Sequence, residues 1–355
     1  MLVHICCSVD SHYFLQKLKK VYPNERIIGY FYDPNIHPYS EFLLRYKDVK
    51  RSCKKLGIEL ICGDYDYESW LSGTKGLEKE PEKGKRCEYC FDFRVGNSAK
   101  MALNLGCKRL TTTLLMSPKK DFTQLKNALK NAVKDTSLEP VAVDFRKNGG
   151  TMEQFDLAKK DKLYHQNYCG CVFALEKQRA KDEIFDELFE PLGGQVQFGS
   201  IKSRLKLYKK VRKYEKNGIE FDLVRKKILN YRLKFAKVCV DGVLVPSYML
   251  FYSHFGRNTL KFTLHSGGEL INVMNEGAKL LSLAKFNELG GFDYKDVLKL
   301  MRCPPKLGRE LKVRKLIEVG FSLSPIIVLD EIRAGKFEVQ ASSVIYPQII
   351  EKVKI

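Results

Sequence analysis

Six of the eleven cysteines fall in three tight couples far apart along the chain: Cys6-Cys7, Cys87-Glu88-Tyr89-Cys90 and Cys169-Gly170-Cys171. Asp10 stands just past the first couple. Thiolates are soft ligands suited to zinc, copper(I) and iron–sulfur clusters. One tetrahedral ion is satisfied by four ligands, and one [4Fe–4S] cluster takes up to four cysteines. Six thiols and a carboxylate exceed either need alone. The economical reading is a [4Fe–4S] cluster with a second metal, a mononuclear iron, beside it. Cys6, Cys7, Cys87, Cys90, Cys169 and Cys171 are the candidate ligands. Asp10 is a candidate ligand of the single iron, next to a position left open for substrate. How the cysteines divide between the two centres stays open. Buried small-residue packing would account for one pair, and Cys87-x-x-Cys90 alone suits zinc as well as iron. Neither accounts for three pairs and Asp10 together.

A reactive metal site also needs proton carriers. Tyr164 and His165, crowded against the third cysteine couple, are the candidate proton donors, with packing around the cysteines as the alternative; with Asp10 they make up the candidate catalytic residues. Gly170 would let backbone approach a metal closely. His4, inside an apolar run, reads as a core residue. Cys53, Cys62, Cys107, Cys239 and Cys303 lack nearby partners and read as structural. Arg94, Lys119 and Lys120 are candidates for phosphate contacts, or simply solvated surface.

The elements that must position these groups alternate between strand and helix. Strand patterns run over Leu2–Ile5, Arg26–Tyr32, Ile58–Cys62, Arg109–Leu114 and Val141–Phe145. Helical spacing covers Ser11–Lys20, Glu41–Leu56 (charged and amphipathic), Cys90–Leu105, Phe122–Val133 and Gly149 through Lys162. This order predicts an α/β fold with a parallel sheet covered on both faces. Ligands of such sheets sit beyond the carboxyl ends of the strands, where Cys6, Cys7 and Asp33 fall. Gly193-Gly194 marks the expected boundary between a metal-binding catalytic domain, 1–195, and a second α+β domain, 196–355. In the latter, Lys202–Lys237 reads as helix. Short β-rich runs follow over Lys237–Pro246, Tyr248–Phe255 and Thr259–Leu264, then helices over Asn275–Asn287 and Tyr294–Met301. No internal repeat is visible.

The chain has 355 residues, 44% of them apolar, enough for one or two cores. No apolar run is long enough to span a bilayer, and no signal peptide is legible, so a cytoplasmic, reduced setting is expected. The net charge of +20 is uneven. Residues 196–355 carry 30 Lys and Arg against 15 Asp and Glu, a net of +15, while residues 1–195 carry 32 against 27, a net of +5. Between Lys202 and Lys237 there are 14 basic and 3 acidic residues. A concentrated positive field points to a polyanionic partner, and nucleic acid fits it; the second domain is therefore a candidate nucleic-acid-binding module.

The first half resembles the QueH-type epoxyqueuosine reductases. The residues that carry the resemblance are His4-Ile5-Cys6-Cys7-Ser8-Val9-Asp10, Tyr32-Asp33-Pro34-Asn35-Ile36-His37-Pro38, Arg86-Cys87-Glu88-Tyr89-Cys90-Phe91-Asp92-Phe93-Arg94, Thr111 through Lys120, and Tyr164 through Cys171. The match runs in order over roughly residues 1–190 and leaves the basic extension unmatched. The resemblance implies a Rossmann-like sheet of the adenine-nucleotide α-hydrolase type and an iron–sulfur enzyme that reduces epoxyqueuosine in tRNA to queuosine. Many members carry Cys where this chain has Asp10. Opening the epoxide to an alkene takes two electrons, so the expected partners are a tRNA bearing epoxyqueuosine and an electron donor such as ferredoxin or flavodoxin, with no membrane. The alternatives are an ATP-dependent tRNA-modifying enzyme of related fold, or a zinc-stabilised RNA-binding protein. Cysteines replace the phosphate-wrapping glycines of an ATP loop here, which speaks against the first.

Overall fold

A computed structural model describes residues 1–166, 168–179, 194–273, 277–318 and 320–355. Asn167, Gly193 and Asn275, named in the sequence reading, lie outside them. The chain forms two compact units: Met1–Leu188 with Arg204–Leu223 and Val353–Ile355, and Phe189–Ser203 with Val224–Lys352. A single cut near residue 195 does not separate them, because the chain passes between units more than once.

The first unit opens with β1 (Leu2–Ile5), α1 (Ser8–Val21), β2 (Ile28–Phe31), α2 (Tyr39–Leu56), β3 (Glu59–Cys62), α3 (Tyr67–Ser72), α4 (Lys85–Asn104) and β4 (Arg109–Thr112). A 3-10 turn (Thr113–Met116) leads to α5 (Phe122–Val133), β5 (Glu139–Pro140), α6 (Gly150–Lys160), α7 (Val172–Arg179) and, further on, α8 (Ile201–Lys216). The five strands form one sheet in the order β3-β2-β1-β4-β5, parallel at every pairing. The expected Rossmann-like parallel sheet is therefore present. β1 and β2 are buried along their whole length, as central strands covered on both faces must be. Helix α1 packs against α2 and α6, and α4 against α5. The order of strands reverses between β1 and β4, which makes the carboxyl ends of those two strands the crevice of the sheet.

The expected strand Val141–Phe145 is not a strand. β5 ends at Pro140, and only one further ladder bond, Val141 N–H to the Leu110 carbonyl at 2.8 Å, continues it. Expected helix Lys202–Lys237 also divides. Helix α8 stops at Lys216, where Gly218 takes a φ of +64° and Ile219 N–H reaches back to the Tyr214 carbonyl at 3.0 Å. Such a left-handed glycine is a common helix stop. The remainder enters a long strand.

The second unit contains β6 (Asp222–Val240), β7 (Val243–Val245), β8 (Ser247–Met249), β9 (Thr259–Leu264), β10 (Leu270–Asn272), β11 (Lys279–Ser282), α9 (Leu283–Gly290), α10 (Val297–Arg302), α11 (Leu307–Ile317), β12 (Ile326–Leu329) and β13 (Gly335–Lys354). It has two four-stranded sheets, β10-β11-β12-β8 and β7-β6-β13-β9. They share a core that includes Val238, Met249, Leu280, Ile327 and Phe337. Within the described part of the helix expected over Asn275–Asn287, helix starts at Leu283, where the Ser282 hydroxyl caps it by accepting from Lys285 N–H, and Lys279–Ser282 is strand β11. Among the described residues, no helix is long and apolar enough to cross a membrane.

Candidate active site

Strand β1 ends directly into Cys6 and Cys7, and α1 brings Asp10 round one turn later. Among the described residues these three form the one group whose metal-ligating atoms all lie within 4.8 Å of one another. Cys6 Sγ lies 3.8 Å from Cys7 Sγ and 3.7 Å from Asp10 Oδ2. Two sulfurs bound tetrahedrally to one ion at about 2.3 Å would stand about 3.8 Å apart. The donor set therefore fits a single thiophilic ion with a fourth position open. Thr113 Oγ1, in the 3-10 turn just past β4, lies 3.8 Å from Cys6 Sγ and accepts from Cys6 N–H at 3.4 Å. Gln154 of α6, fully buried, donates from Nε2 to Asp10 Oδ1 at 2.6 Å and fixes the carboxylate plane. Burial pushes Asp10 up to about 6, against hydrogen bonds from Cys7, Gln154 and Cys6 and the charge of Lys120. The contact with Cys6, then burial, raises Cys7.

The other four thiols come from α4 and from the loop ahead of α7. α4 starts at Lys85, five residues earlier than the sequence pattern shows, so Cys87 and Cys90 sit on one helical face at i and i+3. Cys90 and Cys171 share an apolar cluster with Trp70 and Ala174, and Cys169 packs against it. Two cations, buried Arg94 and half-buried Lys120, face this sulfur-rich region. Lys120 Nζ lies 3.7 Å from Cys169 Sγ, and the charges of Cys169, Cys87 and Cys90 hold Lys120 firmly protonated. Burial opposes ionisation of Cys169, but Lys120, the Cys171 amide, Arg45 and Arg94 outweigh it and lower its pKa. Burial raises Cys90 and pushes Cys171 up to about 12. Arg94 pairs with Asp33, at the end of β2. Asp33 is itself pushed up to about 6 by burial, against Arg94 and Arg45.

A cavity of about 180 Å³ is lined by Cys6, Cys7, Asp10 and Cys169, so the first couple and one thiol of the third face one space. Arg94, Lys119, Lys120, His165, Gln166 and Gly170 line it too. Tyr164 does not. Its hydroxyl lies 3.0 Å from Glu41 Oε2 and 3.0 Å from the Tyr168 hydroxyl. Helix α2 supplies the frame behind it. Glu41, Arg45, Asp48 and Arg51 are all buried, so the charged face of α2 points inward. Arg45 Nε donates to Glu41 at 2.7 Å. Asp48 accepts from Tyr164 N–H at 2.7 Å and from the Ser8 hydroxyl. One carboxylate thus ties the loop before Cys169 to the loop carrying Cys6 and Cys7. Gly170 makes its close approach to Ile36: an added Cβ would lie 2.7 Å from Ile36 Cγ1. His37 N–H also donates to the Gly170 carbonyl at 2.9 Å.

Gln154, Arg45, Glu41 and Asp48 were not legible as site residues, because they act across 100 residues or more. Asp33 carried a signal, its place after the second strand. Buried Asp33 Oδ2 and Asn35 Oδ1 have no hydrogen-bond partner among the described residues, and both residues line the cavity.

The family model for the epoxyqueuosine reductase QueH matches residues 1–177. An epoxyqueuosine reductase QueH from Helicobacter pylori is 37% identical over 350 residues, 93% of this chain and 94% of that one. The chain belongs to the QueH family. It is accordingly an oxidoreductase, of a family named for epoxyqueuosine reduction. The QueH proteins of Haemophilus influenzae (36% identical, 49% of this chain, 71% of that one) and Thermotoga maritima (32%, 51% and 93%) match about half of it. The basic extension, unmatched in the sequence reading, is thus shared with the H. pylori relative. A solved structure, the U34-tRNA thiolase NcsA from Methanococcus maripaludis with its [4Fe-4S] cluster, covers 60% of this chain and 73% of that one. Its TM-score of 0.33 and 16% identity are too low for the likeness to carry fold or chemistry.

Proposed function

We propose that this QueH-family chain reduces epoxyqueuosine in tRNA to queuosine with two iron centres. Cys6, Cys7 and Asp10 would hold a single iron; Cys87, Cys90, Cys169 and Cys171 would hold a [4Fe–4S] cluster. The observation that carries this division is the ion-sized spacing of Cys6, Cys7 and Asp10, which leaves four thiols over, the number a cluster takes. All eleven cysteines are free, in keeping with a reduced cytoplasmic setting.

Removing the epoxide oxygen takes two electrons and two protons and releases water, leaving an alkene. When bound, the iron centres supply the electron path and a Lewis acid for that oxygen. Gln154 holds Asp10 in place. Lys120 and Arg94 balance negative charge in the sulfur-rich region, where a low dielectric makes uncompensated charge costly. His165, on the cavity wall, delivers a proton to the departing oxygen. Electrons enter from a low-potential carrier of the ferredoxin or flavodoxin class. The basic face of the second unit grips the tRNA backbone.

The test is anaerobic protein, dithionite and tRNA bearing epoxyqueuosine, followed by mass spectrometry of the nucleoside. Loss of one oxygen atom without ATP is expected. A colourless zinc protein that leaves the nucleoside intact would overturn the reading, as would a strict need for ATP.

A further inference from the structure

Helix α6 presents two consecutive residues to different depths of the site. Gln154 is fully buried and bonded to Asp10, while Phe155 lines the same cavity and is 36% exposed. Phe155 stacks on His165, with ring centroids 5.3 Å apart and planes inclined by 22°. Met152, one turn earlier on α6, is also exposed. An aromatic ring left partly open at a cavity shared with a metal-ligand set forgoes burial it could have had. A flat aromatic partner would supply that burial.

We propose that Phe155, backed by His165, is the platform on which the 7-deazaguanine base of the substrate nucleoside stacks. The proposal rests on the reductase reading above. In that substrate an aminomethyl link joins the base to the epoxide-bearing ring. A base stacked on Phe155 leaves the ring free to extend toward Cys6, Cys7 and Asp10, at the depth that Gln154 marks. Because α6 carries both Gln154 and Phe155, one rigid element sets the distance between base and reacting carbons. Phe155 is a binding and positioning residue; it gives and takes no proton.

The experiment compares Phe155→Ala, Phe155→Leu and Phe155→Tyr in the metal-loaded protein. Affinity is measured for two anticodon stem-loops, one with queuosine at the wobble position and one abasic there. Wild type is expected to prefer the queuosine RNA. Phe155→Ala and Phe155→Leu should each weaken binding of that RNA about 5- to 100-fold, the range for loss of one base–aromatic stack. Phe155→Tyr should restore it, and abasic RNA should bind all four proteins alike. Unchanged melting curves certify that the variants fold. If Leu restores binding as well as Tyr, the ring only fills space and the proposal is wrong. An equal loss on abasic RNA would also overturn it, since Phe155 would then touch another part of the RNA. Should wild type show no preference for the base, the substrate reading itself fails.

Discussion

Asp10 depends on a residue 144 positions away: the carboxamide of Gln154 is the donor that fixes its orientation. Groups that orient a metal ligand are worth about 10- to 100-fold in affinity. Gln154→Leu should therefore weaken the proposed single-iron site by about that factor, read as faster iron loss to a chelator, while sulfide content stays constant. Loss of sulfide along with the iron would count against separate centres. The Arg94–Asp33 pair behaves differently, because both members are buried. Arg94→Met would strand the Asp33 carboxylate and should destabilise the fold by about 3–5 kcal/mol, measured by denaturant midpoint. A change below about 1 kcal/mol would mean Asp33 is held neutral. The cysteine couples and Asp10 were legible because ligand chemistry restricts residue type. Gln154 was not, because an amide on a helix has many uses and only the fold shows which one applies.

Helix α2 shows how an element can mislead. The sequence marks it as charged and amphipathic, yet the charged residues Glu41, Arg45, Asp48 and Arg51 are buried. They bind loops that the local pattern cannot see, from Ser8 to Tyr164. Strands β1 to β4 were legible because apolar runs between turn signals need only local information. The break after Lys216 was written in Asn217-Gly218 and obscured by the density of lysines on either side. The loop carrying Cys169 and Cys171 is held by close packing of Gly170 on Ile36. Gly170→Ala forces this contact apart and should cost about 1–3 kcal/mol. Because the two flanking cysteines move with the loop, visible absorption from the proposed cluster should fall as well. A variant with native stability and full colour would show that the loop tolerates the shift.

For the whole chain, charge is the property that local motifs do not explain. Lys237, Lys261 and Lys336 are exposed on β6, β9 and β13, and Lys237 and Lys261 both act on Glu338 of β13. The register Lys336↔Thr263 and Glu338↔Lys261 puts the β9 and β13 residues on one face. Reversing all three lysines to glutamate should weaken tRNA binding and lower the slope of log K against log salt by about 3. An unchanged slope would move the RNA contact away from this sheet. The most direct measurement concerns the metal content of the whole chain. Anaerobically prepared protein should hold about five irons and about four sulfides per chain. The double variant Cys6→Ala, Asp10→Ala should hold about four of each and keep its brown colour. If removing that pair abolishes sulfide and colour together, or leaves the iron count untouched, the two-centre account is wrong.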